Sequence, residues 1–335
     1  MFNSKKWKTL FAAMMMITLT TIFSACGFEK DDDAEEVKEK FVTVGTMNLV
    51  NGDLIAQYEK LYEKELGMKV KLLNFNSGKE IIAALGTGEI DIGEAGTAPT
   101  ALAISSNIDI EVIFVGDVIG AAETLIARND SGISSVKDLK GKRVATPFAS
   151  TAQYSLLNVL KLEGMTETDV KLLDLQPDDI FAAWQNGEID AAYIWYPVLG
   201  RLLENGKSIT DSEKLAEKGI VTADLFVMRS VFAEKNPDVV KKFVEVQLKA
   251  NNMILNEPQK AAKEMSAVLG ITENEAAEQI TKFKYLTADE QIDLLDNSMA
   301  KILKSTADFL VEQKSLKKAA SQEEFQEKIN SKYLK

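Results

Sequence analysis

The chain has 335 residues, 46% of them hydrophobic and 27% charged, a profile that folds, stays in water and leaves room for two ordinary domains. Its 39 basic and 51 acidic residues give a net charge of −12, which repels an extended phosphate backbone and sets nucleic acid aside as a partner. There is no histidine and only one cysteine, so Ser-His-Asp and Cys-His mechanisms, intrachain disulfides and thiolate clusters are excluded, and neither a metal site nor a cofactor is expected.

Lys5, Lys6 and Lys8 precede an apolar segment over residues 10–23, and Ser24-Ala25-Cys26-Gly27 follows. Basic, apolar and small residues in that order predict an export signal, and the apolar part is short for a membrane span. The ending Phe23-Ser-Ala-Cys26 resembles the lipobox of bacterial lipoproteins, which implies cleavage before Cys26, acylation of its thiol and anchoring on the extracytoplasmic side of the membrane. The alternative is an ordinary secretory signal with an incidental cysteine. Residues 27–40 carry Asp31-Asp32-Asp33, Glu35 and Glu36 without an apolar period and read as a solvated tether.

From Phe41 the chain repeats itself. Gly67-Met68, Val70-Lys-Leu-Leu73, Ala83-Ala84, Gly88-Glu-Ile-Asp91 and Pro99 recur as Gly164-Met165, Val170-Lys-Leu-Leu173, Ala182-Ala183, Gly187-Glu-Ile-Asp190 and Pro197, an offset of about a hundred residues. Each copy reads strand, helix, strand, helix, strand, a parallel α/β unit with right-handed crossovers. The expected fold class is therefore α/β, two similar lobes joined by a two-strand hinge. The first part of lobe 1 spans 41–128, lobe 2 spans 129–224, and 225–335 returns to lobe 1 and ends in helices packed on it. Apolar positions at helical spacing from Pro237 onward carry no catalytic pattern, and one helical segment is expected over Asn274 to Phe283.

Ligands of open parallel sheets bind beyond the carboxyl ends of the strands. Three loops there place small or hydroxyl residues directly before a helix: Ser77-Gly78, Gly96-Thr97-Ala98 and Ser150-Thr151. Such residues cap helices, and the same geometry offers backbone N–H groups at the positive end of the helix dipole to a small anion. Capping alone is the plainer alternative at each turn. Glu123 and Asp224 lie at the edges of the two extended crossing segments, Glu123–Arg128 and Thr222–Arg229, where a carboxylate can face a cleft or simply solvent. Closure of two lobes about such a hinge is a known response to a small ligand.

Phe148-Ala-Ser-Thr-Ala-Gln-Tyr-Ser-Leu-Leu157, Leu175-Gln-Pro177 with Ala182-Ala-Trp-Gln185, Ala192-Tyr-Ile-Trp-Tyr-Pro197, Thr210-Asp-Ser212 and Tyr285-Leu-Thr287 resemble the taurine-binding proteins of ABC importers. These belong to the larger sulfonate, nitrate and thiamin-precursor binding family, with a type II periplasmic-binding-protein fold. The resemblance covers about Phe41 to Leu310 and departs from the pattern at Thr46 to Gly52, Thr97 and Tyr196. It implies that Ser77, Gly78, Thr97, Ala98, Ser150 and Thr151 surround a sulfonate, with Glu123, Trp195 and Asp224 near an amine. It also implies a monomer that hands its small-molecule ligand to a membrane permease and, through it, an ATPase. Other alkanesulfonates, nitrate or a pyrimidine precursor are the alternative ligands. Enzymes on this fold that make the thiamin pyrimidine use histidines, which this chain lacks, so turnover is not expected.

Overall fold

The computed structural model describes residues 41–335. The signal segment, the tether and Cys26 lie outside the described residues. Among the described residues eleven strands form two sheets. In chain order they are β1 (Phe41–Thr46), β2 (Lys69–Asn74), β3 (Ile92–Gly96), β4 (Ile110–Ile119), β5 (Glu123–Arg128), β6 (Arg143–Thr146), β7 (Lys171–Asp174), β8 (Ala191–Trp195), β9 (Gly206–Asp211), β10 (Ala223–Arg229) and β11 (Phe283–Lys284). The first sheet has the order β11-β4-β10-β3-β1-β2 and the second β7-β6-β8-β5-β9.

The repeat is visible in the ladders: β1 pairs in parallel with β2 and β3, as β6 does with β7 and β8. Its Gly-Glu-Ile-Asp motif has one structural task in both lobes. Gly88 and Gly187 take left-handed φ of 78° and 70°, which ends a helix without the steric cost a side chain would add. The aspartate then ties down the start of the next ladder: Thr43 N donates to Asp91 Oδ2 at 3.0 Å, and Arg143 N to Asp190 Oδ2 at 2.8 Å. Each is also paired with an arginine, Asp91 with Arg229 and Asp190 with Arg143, both at 2.6 Å.

The chain leaves the first sheet after Ile119 and returns to it at Ala223. This shifts two expected boundaries. Glu123–Arg128, assigned above to lobe 1, is a full strand of the second sheet, antiparallel between β8 and β9. Asp224, assigned to lobe 2, belongs to β10 of the first sheet, antiparallel between β3 and β4. Both segments are buried along their length, Glu123 and Asp224 included, and only the arginines at their far ends are partly exposed, so each is drawn fully into a ladder rather than spanning the gap.

The C-terminal helices cover the first lobe and reach further. Leu303, Ala307 and Leu310 of the helix Met299–Glu312 share a core with Ala101 and Ile104 of the helix Thr97–Ser105. Helices Pro258–Leu269 and Glu273–Ile280 pack in one cluster with Leu54 and Ile55 of lobe 1 and with Trp184, Tyr196 and Leu199 of lobe 2. The last of these helices stops at Ile280, and Phe283, expected in it, stands in β11 beside β4.

Candidate functional site: a cleft between the lobes

Between the sheets lies a narrow cleft, lined by Gly78, Gly96 and Asp224 from the first lobe and by Glu123, Ser150, Thr151 and Trp195 from the second. Three helices start at its walls: Gly78–Thr87, Thr97–Ser105 and Thr151–Leu162. Their first-turn N–H groups have no partner within the helix, so the three ends present positive charge without a lysine or arginine.

Ser150 is a working N-cap. Its Oγ accepts from Gln153 N at 3.1 Å and donates to the Pro147 carbonyl at 2.5 Å, while Gln153 Oε1 accepts from Ala149 N at 2.7 Å. Ala149 holds a left-handed φ of 59°, the strained turn that points this helix into the cleft. The Ser150 hydroxyl is thus used internally, and what the turn offers a ligand is backbone N–H. The Thr151 hydroxyl is also committed, donating to Glu123 Oε1 at 2.6 Å. Ser77 Oγ and Thr97 Oγ1, by contrast, are buried without a hydrogen-bond partner among the described residues.

Glu123 is 1% exposed and held by hydroxyls alone: Thr151, then Ser212 at 3.0 Å and Ser155 at 3.3 Å from Oε2. Burial pushes its carboxyl up to about 7, against the pull of those three donors. Asp224 is pushed well above the usual carboxylate range, first by burial and then by the negative Asp117 and Glu123. Two buried carboxyls of this kind on one cleft favour a ligand that brings a positive charge. Trp195 pairs across strands with Glu123 and packs against apolar residues of both lobes, so its indole forms the apolar wall beside the carboxyls.

Of the nine ligand positions expected from the sequence, Gly78, Glu123, Ser150, Thr151, Trp195 and Asp224 line the cleft together. Ser77 and Thr97 sit one residue away at the same helix ends, and Ala98 does not line it: its methyl is packed in a core with Ala152 and Tyr154 of the other lobe. Gly96, named above only as part of its turn, lines it too, and sequence reasoning missed Met47, Leu49, Pro99, Ile119 and Phe283, the apolar part of the wall. It also missed Asn51, Glu94 and Asp117 behind Asp224, although a glutamate inside the wholly buried β3 is itself a signal.

Two duplicated α/β lobes that meet over a cleft of helix N-termini and carboxyls define a ligand-binding protein of the periplasmic-binding-protein type. The chain belongs to the NMT1/THI5-like family, which it matches over residues 50–261. It is 37% identical over 279 residues to the taurine-binding periplasmic protein of Escherichia coli (strain K12), covering 81% of this chain and 86% of that one. A further relative, 26% identical over 262 residues (71% of this chain, 73% of the other), is the 4-amino-5-hydroxymethyl-2-methylpyrimidine phosphate synthase of Aspergillus parasiticus. Among solved structures the fold is similar to that of the alkanesulfonate-binding protein SsuA from Xanthomonas axonopodis pv. citri bound to MOPS, with a TM-score of 0.74 and 23% identity over 87% of this chain and 98% of that one. It is also similar to that of the periplasmic aliphatic sulphonate binding protein SsuA from Escherichia coli, with a TM-score of 0.69 and 23% identity over 85% and 91%.

Proposed function

We propose that this chain is the extracytoplasmic, lipid-anchored substrate-binding protein of an ABC importer, and that it closes as a monomer on taurine or a closely related aminoalkanesulfonate and delivers it to the permease. The observation that carries this reading is the polarity of this cleft: three helix N-termini on its walls, with Glu123 and Asp224 lining the same space. A sulfonate is held by N–H groups and helix dipoles, and an ammonium by carboxylates. A zwitterion satisfies both and carries no net charge for an acidic protein to repel. Trp195 lies over the spacer or the ammonium, and a cation–π contact there is worth about 0.5–2 kcal/mol. The taurine-binding relative supports the ligand, and the periplasmic relatives support the compartment.

Titration calorimetry of the full chain in detergent against taurine, ethanesulfonate and nitrate tests the ligand. Taurine is expected to bind at one site, with micromolar or tighter affinity, and the other two more weakly. Clear ethanesulfonate heat with none from taurine would sink the amine-end assignment. For the anchor, a Cys26→Ala chain is expected to be unlipidated and released from the membrane fraction, and persistent lipid labelling would refute it. Turnover of a pyrimidine precursor is the second reading, favoured by the Aspergillus relative, and it is checked by looking for product rather than for binding heat.

A further inference from the structure

Behind Asp224 stands a second layer of acid that does not line the cleft. Because β10 runs antiparallel between β3 and β4, its register sets Asp224 opposite Asp117 on one side and Gly96 on the other, and Phe226 opposite Glu94. Glu94 and Asp117 are 1% and 0% exposed. They share a single donor: Asn51 Nδ2 lies 2.6 Å from Glu94 Oε1 and 3.3 Å from Asp117 Oδ2. Their other oxygens, Glu94 Oε2 and Asp117 Oδ1, are buried without a partner among the described residues.

The groups that reach this pair are acidic or neutral, and the cations on the strands beside β4, Arg229 and Lys284, are paired elsewhere, with Asp91 and Glu290. The helix Gly52–Tyr58 contributes Asp53, which is bonded to Gln57 and to Tyr62; Tyr62 in turn accepts from Gln247 of the helix Pro237–Asn256 at 2.6 Å. Tyr285 donates to the Val50 carbonyl, Gln291 is spent on the Val115 backbone, and β5 and β10 bring Glu123 and Asp224. From β11, Lys284 turns outward to Glu290 at 3.5 Å. Among the described residues no lysine or arginine pairs with Asp53, Glu94, Asp117, Glu123 or Asp224. Carboxylates gathered in a low-dielectric interior without a cation cannot all be ionised.

We propose that Glu94 and Asp117 are specificity-determining residues that, with Asp224, keep protons in the acidic layer until a ligand's ammonium docks at Asp224, whereupon a proton leaves to solvent. This rests on the functional reading above. The arriving ammonium supplies the positive charge the layer lacks. A carboxyl O–H then ionises, its proton goes to the buffer, and the ammonium keeps its own proton in an ion pair. An alkanesulfonate without an amine brings only negative charge and is accepted best when the layer is neutral. Directions of titration agree: burial, followed by the neighbouring carboxylates, holds Glu94 well above the ordinary range, and burial pushes Asp117 up to about 7.

The test is calorimetry of the full chain with taurine and with ethanesulfonate, each in phosphate and in Tris at matched pH, so that the buffer's own ionisation heat counts the protons exchanged. The expected result is net proton release with taurine, its Kd tightening by up to about tenfold per pH unit between about pH 5.5 and about pH 7.5, with ethanesulfonate flat or weakening over that range. Glu94→Gln and Asp117→Asn should each flatten the taurine slope and reduce the protons released. Taurine binding of unchanged Kd across this range, with heats independent of buffer, would overturn the proposal, and this arm needs only the unmodified chain. Ethanesulfonate heat with none from taurine would overturn the functional reading beneath it instead.

Discussion

Thr151 of the second lobe closes against Gly96 of the first: a β-carbon at Gly96 would stand 2.6 Å from Thr151 Cγ2. The helix that begins at Thr151 continues this contact along its length. Tyr154 meets Phe309 edge-on with ring centroids 5.2 Å apart, and Lys161 pairs with Glu312 at 2.7 Å. The end of the helix that borders the cleft and the face that meets the C-terminal helix are therefore parts of one helix.

Gly96→Ala places a methyl where Thr151 must come. Overpacking of this kind costs about 1–3 kcal/mol. Here the cost falls on the closed arrangement rather than on either lobe. The expected outcome is a Kd for taurine weakened by about tenfold or more, with an unfolding midpoint within a few degrees of the parent. Calorimetry and thermal unfolding check it together, and unchanged affinity would mean the lobes do not need this contact to hold ligand.

Asp224→Asn keeps the shape of the cleft and removes the carboxyl proposed to meet the ammonium. Taurine affinity is expected to fall by about 1.5–3 kcal/mol, the range for a hydrogen bond to a charged group, while ethanesulfonate is unaffected or improved. A preference for taurine that survives the change intact would rule Asp224 out as the ammonium partner.

Asp190→Asn serves as a control that separates the repeat from the site. Asp190 ties the Arg143 backbone and guanidinium together through Oδ2 and Oδ1, away from the cleft. Loss of the charged acceptor is expected to lower stability by about 1–3 kcal/mol in urea unfolding and to leave the Kd for taurine within about twofold. A large affinity loss without destabilisation would give the motif a ligand role.

Stability of the ligand-free protein should fall as pH rises toward neutrality. Burial raises Asp53 to about 6 and Asp117 and Glu123 to about 7 in the folded state, above the ordinary range of the unfolded chain. The folded form therefore binds more protons between about pH 4 and about pH 7, so its advantage is fully present below the unfolded values and is lost as pH climbs through the folded ones. Carboxyls held low by hydrogen bonds, such as Asp138 at about 2, change charge only in more acid solution and do not blur this window. The urea midpoint is expected to be higher at pH 5 than at pH 7.5, and saturating taurine should narrow the gap. A midpoint that rises across that interval would contradict the burial of these acids as unpaired groups.

Much of this protein was legible before any coordinates. The duplicated Gly-Glu-Ile-Asp and Val-Lys-Leu-Leu segments predicted two parallel α/β units because strand and helix periods are local properties of the chain. Ser150-Thr151 could be read as a cap from its place before an apolar helix, and Ser150 is the residue that caps it. What the sequence could not decide was which groups remain free once the lobes meet. The hydroxyls of Ser150 and Thr151 looked available and are consumed by Pro147 and Glu123, whereas Ser77 and Thr97, in equivalent turns, keep theirs. Glu123–Arg128 and Thr222–Arg229 were both read as crossing segments, and each is a full strand of one sheet, the second for Glu123 and the first for Asp224: an apolar run announces a strand but not the sheet it joins. Glu94, Asp117 and Asp224 are separated by 23 and then 107 residues in the chain and become one acidic layer only through the register of β3, β4 and β10. Local pattern fixes the elements, but cross-strand register and burial are set by packing across the whole fold, and it is burial without a counter-charge that sets these carboxyls apart from ordinary ones.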